Sequence, residues 1–207
     1  MLKNWMIALL ALPMMLSAEI SSQDALKKLQ EGNQRYVSED LLHPNRGQER
    51  QRELANKQKP FAVILTCSDS RVAPEILFDQ GLGDLFVVRI AGNVVGPTVL
   101  DSIEYGVVHL GASLVLVLGH ENCGAVEAVM MGQTKDIEAI AEKIEPAIKG
   151  IQLTQNGGLE KAIKSNVVSI ASYLKKSPAL AKAMQDGKLK IETGYLQLKE
   201  GNIEFGF

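Results

Sequence analysis

Cysteine is nearly absent from this chain. Two of its 207 residues are cysteines, Cys67 and Cys123, and aromatic residues make up 5%. A disulfide-stapled scaffold needs several pairs, so an apolar core must hold the chain together. Its 46% hydrophobic and 22% charged residues fit one ordinary globular domain. Neither sign of charge prevails, with 22 basic side chains against 24 acidic ones and a formal net charge of −2. That leaves no electrostatic footprint for nucleic acid or an anionic membrane surface. Internal repeats and low-complexity tracts are missing, which excludes solenoids and disordered tails. No apolar run reaches the roughly 20 residues that span a bilayer.

The longest apolar run is at the start. Lys3 precedes Trp5–Leu16, and Ser17-Ala18 follow. A basic residue, about a dozen apolar residues and a small residue at the end describe a secretory signal peptide, and Pro13 would disturb a continuous helix. Leu16 stands where a small residue is preferred, and cleavage is expected after Ala18. Residues 1–18 are therefore read as a signal peptide and 19–207 as a single domain. The mature protein is expected in the periplasm or outside the cell, without stable membrane association. In an oxidising compartment two cysteines suggest a disulfide by default. Against that, each stands beside polar residues suited to chemistry, and the nearby His120 has no part in a disulfide.

Ser21-Ser22-Gln23-Asp24 offers N-cap residues for a helix carrying Leu26, Leu29 and Val37 at helical spacing. His43-Pro44 breaks the pattern, and the charged stretch from Arg46 to Lys59 reads as a second, exposed helix. Three short apolar runs follow: Phe61–Thr66, Leu85–Ile90 and Leu114–Leu118. Each is apolar but for Thr66 and Arg89 near the ends, as strands buried on both faces of a parallel sheet are. Val99–Leu110 is the clearest crossover helix. Helical patterns continue through Glu121–Met131, Ile137–Lys149 and Leu159–Lys175, and Leu189–Leu198 with Ile203–Phe207 reads as a late strand and hairpin. The expected fold is α/β: a mainly parallel central sheet flanked by helices, with a projecting N-terminal helix and a C-terminal strand or hairpin. Cys67 and His120 then both follow strand ends, where open parallel sheets place ligand sites.

Cys67, His120 and Cys123 supply three of the four tetrahedral positions of Zn²⁺. No fourth ligand of the same kind is evident, which is the pattern of a catalytic rather than a structural zinc site. Zinc bound there lowers the pKa of a water from ~15.7 toward ~7, giving hydroxide near neutral pH. Asp69, two residues beyond a ligand, is placed to accept the hydroxide proton as a hydrogen bond. Arg71 can hold Asp69 in a bidentate pair.

Cys67-x-Asp69-x-Arg71 followed by His120-x-x-Cys123-Gly124 resembles the signature of β-class carbonic anhydrases. So do Glu31-Gly32-Asn33-x-Arg35-Tyr36, Arg89-x-Ala91-Gly92-Asn93 and Ile103-Glu104-Tyr105, and the likeness runs from about residue 24 to the end. The resemblance implies one Zn²⁺ per chain and reversible hydration of CO2 to bicarbonate by zinc-bound hydroxide. It makes Asp69 and Arg71 the catalytic dyad and a homodimer or dimer of dimers the assembly. In some members the matching aspartate moves onto zinc, and a tryptophan stands three residues before the first ligand. Here that position is Ile64, which points to the constitutively open subtype. Gln58, Phe86, Ala91 and Tyr105 fall at the substrate-pocket positions of that subtype, with core packing as the competing role. The Gly124 N–H is expected to contact bicarbonate, with no side chain in the way. Hydrolysis of carbonyl sulfide or carbon disulfide, or a non-catalytic zinc role, are the alternatives. His43, in a polar loop, and His109, expected to be partly buried in a helix, read better as structural residues than as proton shuttles. Glu121 and Asn122 lie between ligands without assigned partners.

Overall fold

The computed structural model describes residues 20–154 and 156–207, so the expected signal peptide lies outside the described residues. None of its helices is long and apolar enough to cross a membrane.

Three largely apolar segments form the centre. Strands β1 (Ala62–Thr66) and β3 (Leu114–His120) are buried along their whole length, whereas β2 (Leu85–Arg89) lies at an edge and is only partly covered. β4 (Lys190–Leu196) and β5 (Ile203–Phe205) complete one sheet in the order β2-β1-β3-β4-β5. The first four strands run parallel and β5 is antiparallel to β4. The chain leaves β1 for β2 on one side, then crosses over to β3 on the other. β1 and β3 are therefore neighbours at the point where the winding reverses, the place where open α/β sheets leave a crevice outside their carboxyl ends. Register there is fixed by Thr66↔Leu118 pairing and by the buried Thr66 hydroxyl, which donates to the Leu118 carbonyl at 2.9 Å.

The helices are α1 (Ser22–Val37), α2 (Gln48–Leu54), α3 (Pro74–Leu77), α4 (Pro97–Glu104), α5 (Gly124–Met130), α6 (Glu138–Ile148), α7 (Gly158–Leu174) and α8 (Pro178–Gln185). A π-helical turn, Tyr105–His109, continues α4, and a 3-10 turn, Ala91–Asn93, follows β2. The charged segment forms a shorter helix than the expected 46–59, because α2 buries no residue and has only local bonds to extend it. The short α3 and α8 were not read from the sequence. One sheet face packs Val63, Val115 and Val117 against Ile103, Val167, Leu174 and Leu180; the other packs Ile64, Leu116 and Leu118 against Leu29, Leu77 and Phe78.

The Ser21 side chain caps α1, accepting from the Asp24 N–H at 3.1 Å. Ala25 and Leu29 bury one face of the helix, so it projects only through its outer side. Its Gly32-Asn33-x-Arg35 motif ties it down. A Cβ on Gly32 would lie 1.8 Å from the Phe78 carbonyl oxygen, so only glycine allows that approach. Asn33 donates to the carbonyls of Leu77 and Gly201 and accepts from the Ile203 N–H. Arg35 Nε meets the fully buried Asp79 carboxylate at 2.7 Å. Asp79 also accepts from the Leu42 and His43 N–H groups at 2.9 and 3.0 Å, with Arg46 at 3.8 Å and the His43 ring at 4.0 Å. Burial pushes that carboxyl up, but the Arg35 bond and the two backbone donors outweigh it and hold it low. His43 is thus part of a structural knot, as its sequence context suggested.

Candidate metal centre

Cys67 follows β1 directly, His120 ends β3, and Cys123 sits at the N-cap of α5. The switch of winding between β1 and β3 brings them together: one ligand atom from each lies within 4.8 Å of the others, and all three side chains are buried. The His120 ring is fixed by Nδ1, 2.9 Å from the Glu121 carbonyl, which leaves Nε2 to face the cysteines. Nε2 is buried without a hydrogen-bond partner. A buried orphan nitrogen costs stability unless a ligand takes its lone pair.

The thiols reinforce that reading. Each affects the other's acidity: the Cys123 hydrogen bond holds Cys67 low, while that bond and burial push Cys123 up. One thiolate forms readily there, and the second needs a cation between them. A divalent metal meets that demand, and two sulfurs with one imidazole nitrogen form a donor set suited to Zn²⁺. The chain's own residues therefore fit the ion.

Asp69 and Arg71 stand together beside this cluster. Arg71 Nε and Nη2 meet the two Asp69 oxygens at 2.9 and 2.7 Å, a bidentate fork, and the Arg71 N–H donates to Asp69 Oδ1 at 3.0 Å. Arg71 also reaches the Asn122 carbonyl at 3.2 Å, linking the Cys67 loop to the His120–Cys123 loop. Asp69 Oδ2 lies 3.8 Å from His120 Nε2. The Arg71 bonds keep the Asp69 carboxyl well below the ordinary carboxylate range.

Sequence reading gave Arg89 no role, although its motif had been singled out. Its guanidinium donates to the carbonyls of Cys67, at 3.2 Å, and Asp69, at 2.6 Å, clamping the loop that carries ligand and carboxylate. Glu121 also has a partner: its carboxylate accepts from the Leu198 N–H at 3.0 Å, tying the ligand loop to the segment after β4.

The expected pocket residues divide. Ala91 adjoins Gly92, whose N–H lies 3.4 Å from the Cys67 sulfur, and so belongs to the rim of the centre. Gly124, at the start of α5, is exposed, and a Cβ there would meet nothing within 4 Å, so crowding by this chain does not require glycine. Phe86 and Tyr105 pack together, ring centroids 6.2 Å apart, with Tyr105 47% exposed. The exposed Gln58 lines a cleft of about 650 Å³ with Arg50, Lys57, Lys59 and His109, apart from the metal cluster. His109 is exposed rather than partly buried, because the π turn carries it outward, and it stacks on Tyr105 at 5.2 Å.

A sequence model of the carbonic anhydrase family matches residues 62–203. The carbonic anhydrase of Mycolicibacterium smegmatis is 40% identical over 190 residues, covering 87% of this chain and 91% of that protein. A Coccomyxa β-carbonic anhydrase solved with acetazolamide is 25% identical, with a TM-score of 0.68 over 86% of this chain and 85% of that one. One of two tetrameric β-carbonic anhydrases from Sordaria macrospora matches in fold, at 22% identity and a TM-score of 0.62, over 75% of this chain and 84% of that one. The two-strand metal cluster, the fold and these relatives agree, and the chain belongs to the β-class carbonic anhydrases.

Proposed function

We propose that the protein interconverts CO2 and bicarbonate with one Zn²⁺ per chain on Cys67, His120 and Cys123, Asp69 and Arg71 acting as the orienting dyad. The observation that carries this reading is the Asp69 carboxylate, gripped in a bidentate fork and 3.8 Å from the unpartnered His120 nitrogen. Zn²⁺, when bound, supplies a Lewis acid that acidifies a coordinated water. Asp69 would accept a hydrogen bond from the hydroxide left when that water gives up its proton to solvent, and so aim the oxygen lone pair at the carbon. It is not the proton sink, because a carboxyl held so low is a poor base near neutrality. Arg71 fixes the direction of Asp69, and Arg89 fixes the carbonyls on either side of Ser68.

The open subtype is supported by Ile64, which is buried in the sheet core, and by the intact Asp69–Arg71 pair. A homodimer or dimer of dimers would cover the exposed Tyr105 and Val108 and the partly uncovered β2. It would also let Gln58, Phe86 and Tyr105 of one copy complete the pocket of another, with Ala91 and Gly124 lining it from within. Export to the periplasm or medium rests on the leader alone, and N-terminal sequencing of the exported protein reads the cut after Ala18.

Stopped-flow CO2 hydration by the zinc-loaded protein at pH 7 and pH 8.5 tests the function. Fast, chelator-sensitive turnover at both values is expected. Turnover only at the higher value refutes the open subtype, and none at either, with zinc present, refutes CO2 hydration.

A further inference from the structure

The buried side of α7 runs Ala162, Ile163, Val167, Ile170, Ala171 and Leu174, and one polar residue interrupts it. Asn166 is 1% exposed among them. Asparagine is a poor helix former, and its Oδ1 has no hydrogen-bond partner, so an aliphatic residue would suit the packing better. Its Nδ2 explains its presence: it donates to the Gly92 carbonyl at 2.9 Å, across 74 residues of sequence.

Gly92 stands in the left-handed region, at φ 66°, in the turn after β2, and its N–H donates to the Cys67 sulfur at 3.4 Å. A Cβ there would lie 2.8 Å from Ile144 Cδ1, a side-chain tip that can turn away, so it is the left-handed backbone that favours glycine. Glycine supplies that conformation but no stiffness. Restraint must come from outside, and Asn166 holds the residue by its carbonyl while the Asn93 N–H closes the turn on Ile90 at 2.8 Å.

We propose that Asn166 is a positioning residue for the metal centre: by pinning the Gly92 carbonyl from α7 it keeps the Gly92 N–H on the Cys67 thiolate. An N–H on a ligating sulfur draws electron density from it, and partners of this kind tune metal affinity as well as orientation. The inference rests on Zn²⁺ binding at Cys67, His120 and Cys123, and it extends that set to a side chain on another helix.

The test compares zinc-loaded and cobalt-loaded wild-type protein with Asn166→Leu. Zinc transfer to an excess of a chromophoric chelator is expected to accelerate by roughly 10- to 100-fold in the variant, because lost orientation of the Cys67 ligand outweighs its stronger donation. The sulfur-to-cobalt charge-transfer band is expected to move to longer wavelength, because a thiolate without the N–H donates more readily; altered packing alone would leave the band in place. A wild-type release rate with an unmoved band overturns the proposal. Should Asn166→Leu not fold, the same readouts on Asn166→Ser, whose hydroxyl falls short of the carbonyl, decide it in the same way. In unmodified protein loaded with ¹¹³Cd, the Gly92 amide proton should couple to the metal, and absence of that coupling also overturns it. Unmodified protein that retains no zinc would instead overturn the metal site itself.

Discussion

Asp79→Asn keeps the shape of the buried carboxylate and removes its charge. Arg35 Nε, 2.7 Å away, would lose its counter-charge. The Leu42 and His43 N–H groups, which now have one carboxylate oxygen each, would compete for one amide oxygen. Removing one partner of a buried ion pair costs about 3–5 kcal/mol. The Arg35 side chain is 23% exposed, so solvent compensates part of that loss and the low end, about 3 kcal/mol, applies. For a domain of this size, at ~2–4 °C per kcal/mol, the melting temperature should fall by about 6–12 °C at pH 7. Acid supplies a second reading. The folded carboxyl titrates below its ordinary value. Its stabilisation is therefore fully present above the unfolded pKa of ~3.9 and is lost as pH falls through the lower folded value. The asparagine variant has no such group, so the gap between the two proteins in thermal melts should begin to close below about pH 4 and vanish only below the folded carboxyl's own value. A gap under about 2 °C at pH 7, or one that persists unchanged into acid, would refute the reasoning.

Cys67→Ser, His120→Ala and Cys123→Ser should each lose zinc, read as metal content after dialysis. Asp69→Asn should retain zinc and lose on the order of 10²-fold in CO2 hydration, the cost of a misaimed nucleophile; unchanged turnover would sink the orienting role. Gly119→Ala places a Cβ 2.6 Å from Val167 Cγ2 and 3.0 Å from Ile163 Cγ2, beside a metal ligand. Overpacking of this kind costs about 1–3 kcal/mol, and a melting temperature equal to wild type would show that α7 gives way freely.

The strands were legible because Ala62–Leu65 and Leu114–Leu118 are apolar at every position, as a sheet covered on both faces requires. Charge at Arg46–Lys59 was read as a whole exposed helix, but propensity without a buried face held only Gln48–Leu54. α8 had left a signal in Ser177-Pro178, an N-cap and a first-turn proline, and the Ser177 hydroxyl does accept from the Leu180 N–H at 3.3 Å. The ligand triad could be read because its residue types are rare in this chain. Arg89 could not be given a role, since it acts on backbone carbonyls and no side-chain pattern reports those. Asn166 could have been found as the one amide on an apolar helix face. Gln58 and Tyr105 were expected to meet across a dimer interface; within one chain Gln58 lines a cleft and Tyr105 is an exposed ring.

Three sets of bonds tie together the segments that carry Cys67, His120 and Cys123: Thr66 to Leu118, Arg71 to Asn122, and Arg89 to Cys67 and Asp69. Small zinc-dependent domains are unfolded until the ion organises them, and much of their binding energy is consumed in ordering the chain. Here the ordering is done in advance by strand pairing and arginine clamps. An ion bound on Cys67, His120 and Cys123 would meet ligand loops that already hold one another, and less of its binding energy would be consumed in ordering the chain.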